Sequence, residues 1–214
     1  ICRCLVGSEM CIRDRFEYVY ENIKSNIHLE SISGGTDLVS CFVTGNPLMD
    51  VYSGEIQCKA LGMDVDVFDE KGNSIENQKG ELVCKSSFPS MPLYFWNDHD
   101  NKKYFNSYFS KYENIWYHGD YIEKTINGGY VIYGRSDATL NSGGVRIGTA
   151  EIYRVIENIT EVQEAVAVEY KLKNDTQIIL FVVLNNNYEF NENLRSEIID
   201  EIKINLSYKH IPSQ

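Results

Sequence analysis

The sequence predicts a mixed α/β protein in two parts, β-rich up to about residue 134 and β-α-β-β-α beyond it. Three observations carry this prediction. Between residues 54 and 85 apolar and polar residues alternate, with Val65 and Val67 on one face and Asp64 and Asp66 on the other, the period of a half-buried strand. Asn127-Gly128 separates the stretches "YIEKTI" and "YVIYGR", which is the chemistry of a hairpin tip. Finally, Ile152, Val155, Ile156 and Ile159, and later Leu194, Ile198, Ile202 and Leu206, recur at helical spacing, so two helices each carry one apolar face.

Residues 1–15, "ICRCLVGSEMCIRDR", follow neither period and lack the apolar run of a signal peptide; they read as a non-native leader outside the fold. The fold then opens with a helix over "FEYVYENIKSN". Gly34-Gly35 interrupts two apolar stretches as a strand-to-loop transition. "GEIQCKAL", "MDVDVFDE" and "GELVCKS" read as strands, with "EKGNSI" as a turn. Residues 88–118 are dense in aromatic side chains and read as a packed, irregular shell. Past the glycine-rich stretch, Thr149 is placed to cap the first amphipathic helix, "EAVAVEYK" and "QIILFVVL" are strands, and Asn191 caps the last helix. These elements divide into residues 16–134, a connector at 135–144, and a small α+β part at 145–214 that stops just after an X-Pro pair, so the chain reads as a piece cut at both ends.

The net charge of −11 argues against a nucleic-acid partner, because a phosphate-backbone binder needs a basic face. The most apolar run, "IILFVVL" at 178–184, is strand-length and far below the roughly 18 residues of a membrane span. The six cysteines (Cys2, Cys4, Cys11, Cys41, Cys58 and Cys84) have no metal-ligand spacing and read as free thiols in a reducing, cytoplasmic setting. The four histidines are scattered, which gives no support to a histidine-based metal centre or triad.

Three short stretches have the chemistry of a ligand site. In "SGGTD" (33–37) the two glycines allow close backbone approach, Thr36 offers a hydroxyl to a phosphate oxygen, and Asp37 offers hard oxygens to Mg²⁺; a tight turn with an Asx cap uses the same residues. In "YHGD" (117–120) Gly119 clears space and Asp120 presents two acceptors that match a ribose diol, or else is a solvated hairpin aspartate. In "GRSDATLNSGGVR" Arg135 and Arg146 can fork onto phosphate oxygens, with Asp137 lying between the two parts of the chain. "GEL" (80–82) says little alone, but the four stretches follow one another in order along the chain.

That ordered set resembles the adenylate-forming superfamily of acyl-CoA synthetases, peptide-synthetase adenylation domains and luciferases. The longer stretches "SGGTDLVSCFVTGNP", "GELVCKSSFPSMPLYFWND" and "YGRSDATLNSGGVRIGTAEIY" are similar to the branch that activates acetoacetate, and the resemblance covers about residues 29–212. The resemblance implies that residues 16–134 are the C-terminal part of the large AMP-binding domain, followed by a hinge and an incomplete small domain. It implies an AMP-forming ligase with ATP, Mg²⁺ and coenzyme A: a carboxylate attacks the α-phosphate of ATP, and the thiol then displaces AMP. By resemblance, Gly34, Gly35 and Thr36 contact the nucleotide, Asp37 lies at the Mg²⁺, and Asp120 holds the ribose. Arg135 and Arg146 serve the nucleotide and phosphates, Thr36 and Arg146 taking part in catalysis. Asp137 is the hinge, and Gly143 and Gly144 line the coenzyme A channel. Glycine at 34, where acetate-activating relatives place a bulky aromatic, leaves room for a longer acid. The family's phosphate loop and adenylation lysine are absent from these 214 residues, so the chain by itself is expected to make no acyl-CoA. The alternatives are a synthetase for another short acid and a non-catalytic nucleotide-binding or interaction module.

Overall fold

A computed structural model describes residues 12–142, 145–171 and 176–214. The chain divides between Ile132 and Tyr133 into two compact units. Among the described residues no helix is long and apolar enough to cross a membrane.

In the first unit, α1 (Ile12–Asn22) begins inside the segment that the sequence sets aside as a leader and ends four residues before the expected Asn26. Once a turn has nucleated, each further residue adds a hydrogen bond at little cost, so a helix extends back beyond its patterned stretch. β1 (Ser33–Gly35), β2 (Ser40–Thr44) and β3 (Cys58–Lys59) form one antiparallel sheet in that order. β3 is much shorter than the alternation in "GEIQCKAL" predicts. The backbone of Ile56 instead exchanges both its hydrogen bonds with Tyr130 at 2.8 Å, and the buried Gln57 side-chain amide donates to the carbonyls of Asn46, Met49 and Asp50, tying down the loop before it.

β4 (Val65–Phe68), β5 (Lys79–Cys84), β6 (Trp116–Lys124) and β7 (Tyr130–Arg135) are neighbours in a four-stranded sheet. Val65 and Val67 are fully buried on the side the alternation predicts. Their solvent-side neighbour Asp66 pairs with Lys85 at 2.9 Å and accepts from the Ser74 hydroxyl and the Val67 N–H. The β6–β7 hairpin closes over Thr125–Gly129 with Gly128 at φ +81°. β6 carries a wide bulge. On β5 only Leu82 separates the paired residues Glu81 and Val83, whereas on β6 His118, Gly119 and Asp120 all lie between their partners Tyr121 and Tyr117. Gly119 makes this possible with φ +85°, a conformation that a side chain disfavours.

The core of this unit gathers Leu38, Phe42, Val65, Val67, Leu82, Trp116 and Ile122. Much of the aromatic stretch folds into it around α2 (Lys102–Tyr108). Both carboxylate oxygens of buried Asp98 accept from the first turn of α2, at the N–H groups of Lys103 and Tyr104. The rings meet mostly edge to face, such as Phe88 and Trp116 at 5.2 Å and 80°, while Tyr108 lies flat on Trp116 at 3.7 Å and 14°. Such contacts add about 0.5–1.5 kcal/mol each beyond the area they bury.

The second unit begins at Tyr133, inside β7, and continues through β8 (Leu140–Ser142) and β9 (Val145–Ile147), an antiparallel pair, into α3 (Thr149–Ile156). β10 (Val162–Lys171) and β11 (Thr176–Leu184) form an antiparallel hairpin, and α4 (Glu192–Asn205) follows. Thr149 does not cap α3. The helix starts one residue earlier than that role needs: Thr149 is its first residue, the cap position falls to Gly148, and Glu151 reaches back to accept the Gly148 N–H at 3.0 Å. Asn191 caps α4 as expected, accepting from the N–H groups of Asn193 and Leu194. Ile152, Ile156, Ile178, Leu194, Ile198 and Ile202 pack together; Ile159 joins them from just beyond the end of α3. The free cysteines of the described residues are Cys41, Cys58 and Cys84; Cys2, Cys4 and Cys11 lie outside them.

Three stability effects follow from these contacts. Ile156 is fully buried, so Ile156→Ala is expected to cost about 2–5 kcal/mol in denaturant unfolding of the second unit. Val39 holds φ +50° with its side chain 88% exposed, so no packing offsets the strain of a β-branched residue there; Val39→Asn is expected to stabilise by about 0.5–1 kcal/mol, read from the thermal midpoint. Burial opposes the ionised form of Asp66, but the Lys85 ammonium, the Val67 N–H and the Ser74 hydroxyl together outweigh it and hold its carboxyl below the ordinary value of 3.8. A lowered folded-state value stabilises the fold above the unfolded value and loses that stabilisation as pH falls through the folded one. Acid unfolding below about pH 4 is therefore expected to be less steep in Asp66→Asn than in the wild type.

Candidate functional site

The residues singled out by the sequence fall into two sets, one in each unit. In the first, β1 runs so close to β2 that a Cβ at Gly34 would lie 2.2 Å from the Ser40 carbonyl oxygen and 2.5 Å from the Cys41 Cα. Glycine at 34 is thus required by strand pairing, whatever its bearing on a pocket. At Gly35 an added Cβ would meet Asp37 Oδ1 at 2.1 Å and His118 Cε1 at 2.9 Å. The bare Cα therefore lets a carboxylate and an imidazole approach from opposite segments of the chain. The turn Thr36–Val39 is exposed except for Leu38, which is buried in the core and anchors it.

Asp37 is exposed, and its Oδ2 accepts the Tyr108 hydroxyl at 2.5 Å. Asp120 is 8% exposed, so the solvated-aspartate alternative does not hold: its carboxylate lies on the buried face of β6. Beside it is His118, with Nε2 3.7 Å from Asp120 Oδ2, a spacing too long for a hydrogen bond. The His118 ring meets Phe42 edge to face at 4.8 Å. His118 thus links the Gly35 turn to Asp120, a role that scattered histidines in the sequence do not suggest.

Behind this group, "GEL" acquires a meaning. Glu81, 1% exposed, is paired with Lys111 at 2.6 Å, and the Lys111 ammonium also sits 4.6 Å from the centre of the Tyr117 ring. The pair anchors β5 and β6 on the two sides of the bulge. Nearby, burial raises the Tyr104 hydroxyl above its ordinary value, keeping it a donor, and it bonds the Pro92 carbonyl at 2.5 Å.

The second set surrounds a 3₁₀ turn at Ser136–Ala138 in the second unit. Arg135 Nε and Asp137 Oδ1 lie 3.4 Å apart and are both well exposed. Arg146 is used internally: its Nε donates to Thr139 Oγ1 at 2.9 Å and its Nη2 to the Ser136 carbonyl at 3.0 Å. The guanidinium thereby braces the turn that carries Asp137, which a phosphate-facing fork alone does not anticipate. Gly143 and Gly144 lie outside the described residues.

Chemically, the first set offers an exposed carboxylate beside two glycines and a buried carboxylate beside an imidazole. That arrangement suits a ligand with both hydroxyl donors and an anionic group that brings its own cation.

No family model matches the chain. It is 52% identical over 199 residues to the acetoacetyl-coenzyme A synthetase of Rhizobium meliloti (strain 1021), which covers 93% of this chain and 31% of that protein. It is 44% identical over 200 residues to the acetoacetyl-CoA synthetase of Xenopus tropicalis, covering 92% and 30% of the two. Among solved structures, acetoacetyl-CoA synthetase from Streptomyces lividans superposes with a TM-score of 0.86 at 37% identity over 94% of this chain and 30% of its own. The anthranilate CoA ligase AuaEII, solved with anthranoyl-AMP, shares the fold with a TM-score of 0.73 at 18% identity, covering 92% of this chain and 37% of that one. The chain thus spans about 30% of the length of the acetoacetyl-CoA synthetases it matches. Within that span its motifs and its mixed α/β architecture agree with these relatives, and the chain is similar over most of its own length to one segment of the acetoacetyl-CoA synthetases.

Proposed function

We propose that this chain is the segment of an AMP-forming acetoacetate–CoA ligase that carries part of the nucleotide site and part of the small C-terminal domain. The observation that supports this best is the β6 bulge, which sets the buried Asp120 beside His118 and the Gly35 turn. In the first half-reaction the acetoacetate carboxylate attacks the α-phosphorus of ATP and pyrophosphate leaves. In the second, the coenzyme A thiolate attacks the acyl carbonyl and AMP leaves with the electron pair of the broken C–O bond. Asp120 accepts the ribose hydroxyls, and Thr36 with the backbone at Gly34 and Gly35 contacts the phosphate end. Donors fixed around oxygens that gain charge lower both barriers.

Arg135 serves the nucleotide. Arg146 acts by holding the Ser136–Thr139 turn as well as by its charge. Asp137, at the exposed end of that turn, is the hinge between half-reactions, and Gly143 and Gly144 line the approach of coenzyme A. The domain limits follow: 16–134 from the large domain, 135–144 as connector, and 145–214 in the small domain. A location in the cytoplasm and the absence of a nucleic-acid partner, supported by the net charge of −11, belong to the same reading.

The family implies magnesium, and the residues present fit it. Among the described residues no group of three or more His, Cys, Asp and Glu side chains could hold a metal unaided. A magnesium ion needs no such cage when one or two carboxylates are joined by substrate phosphates and waters. Asp37 is an exposed carboxylate whose Oδ1 lies where a Cβ at position 35 would intrude. The ion, when bound, would neutralise charge on phosphate oxygens.

Because Asp120 is buried against His118, Asp120→Asn is a cleaner test than truncation. In the intact enzyme it is expected to lower kcat/KM for ATP by about 10- to 100-fold, the loss of charge-assisted hydrogen bonds, with the melting temperature held within a few degrees. Unchanged ATP dependence would remove Asp120 from the nucleotide site. The substrate is tested by giving the intact enzyme ATP, Mg²⁺, coenzyme A and an equimolar mixture of acetoacetate, acetate, propionate and 3-hydroxybutyrate, and weighing the thioesters. Acetoacetyl-CoA is expected to dominate; another thioester keeps the chemistry but changes the acid, and none at all favours a non-catalytic module.

A further inference from the structure

We propose that Tyr108 is a positioning residue that sets the orientation of the Asp37 carboxylate toward the magnesium–nucleotide, an inference that rests on the reading of Asp37 above. Asp37 stands on an exposed four-residue turn in which Leu38 is the buried anchor. A short carboxylate on such a turn has water as its competitor at every oxygen and several rotamers of similar energy. Tyr108 removes that freedom. Its hydroxyl, 71 residues away along the chain, donates to Oδ2 at 2.5 Å, while Oδ1 is left against the bare Cα of Gly35.

The donor is itself held rigidly. Tyr108 is the last residue of α2 and is 8% exposed. Its ring lies flat on Trp116 at 3.7 Å, with Tyr104 and Phe95 edge-on at 5.4 and 5.5 Å. A phenol clamped on several sides delivers its O–H to one point, so the tyrosine transmits the position of the aromatic core to an exposed acid. Magnesium demands near-ideal octahedral geometry at about 2.0–2.1 Å, and a ligand fixed in advance by an outer hydrogen bond gives up less freedom on binding it. The packing of the ring explains a buried phenylalanine equally well; the hydroxyl aimed at Asp37 is what packing alone does not require.

The test uses the intact enzyme with Tyr108→Phe, Asp37→Asn and the double variant. Mg²⁺ is titrated at fixed ATP, following both activity and the Mg²⁺-dependent part of the rise in melting temperature that ATP produces. Tyr108→Phe keeps the ring and loses the hydroxyl. It is expected to raise the Mg²⁺ half-saturation by about 3- to 10-fold in both readouts, the change falling there rather than in kcat, and to have no further effect in the Asp37→Asn background. That last comparison holds even if Tyr108→Phe melts lower, because general loosening would add to the Asp37 effect instead of vanishing with it. If Asp37→Asn shifts the Mg²⁺ dependence and Tyr108→Phe does not, or if the two effects add, the role of Tyr108 is overturned and the metal reading of Asp37 stands. If Asp37→Asn leaves Mg²⁺ dependence unchanged, both fall together.

Discussion

The candidate site in the first unit depends on one backbone constraint: β6 must fit His118, Gly119 and Asp120 opposite a single residue, Leu82, of β5. Strand alternation puts His118 and Asp120 on one face with Trp116 and Ile122, and all four are buried. The bulge absorbs the extra length through the positive φ of Gly119, and His118 Nε2 lies 3.7 Å from Asp120 Oδ2. The strands on either side resume their pairing at once, which keeps the distortion local. Buried Glu81, paired with Lys111, stands at the pairing just past the bulge, and the fully buried Leu82 faces it from the core. A polar pair and an apolar side chain therefore hold the two strands in the register that the bulge requires.

The second determinant of the site is the absence of side chains. Gly34 allows β1 to lie against the backbone of Ser40 and Cys41, and Gly35 allows Asp37 and His118 to meet across it. In both places the glycine is set by what approaches it within this unit. The aromatic core supplies the stiffness: Tyr108 and Trp116 stack beneath the turn, and through one hydroxyl the core reaches an exposed carboxylate. The second unit follows the same logic with different parts, since Arg146 spends hydrogen bonds on the turn that displays Arg135 and Asp137.

Much of the fold is legible in the sequence because its signals are periodic and local. The α4 cap at Asn191, the β10–β11 pair and the buried faces of α3 and α4 all follow from spacing. Local signals fail where the backbone finds a partner in a distant segment: Ile56 pairs with Tyr130 instead of extending β3. At α3 the difference is one residue of boundary, with Gly148 at the cap position and Glu151 accepting its N–H. The start of α1 at Ile12 is a boundary error of the kind that follows from helix extension past the patterned residues.

By itself the sequence determined the class of fold, the two amphipathic helices and the ordered motifs that carry the resemblance, because periodicity and glycine placement are written residue by residue. Only the tertiary structure decided what those motifs touch. Tyr108 and Asp37 are 71 residues apart, and nothing near either one announces the other. Whether Asp120 is solvated or buried depends on what packs over its face of β6, and whether Glu81 is a surface charge depends on Lys111 arriving from 30 residues further on. These are pairings between distant segments, fixed when the core closes and the backbone of each strand has chosen its partner, and no local pattern encodes that choice.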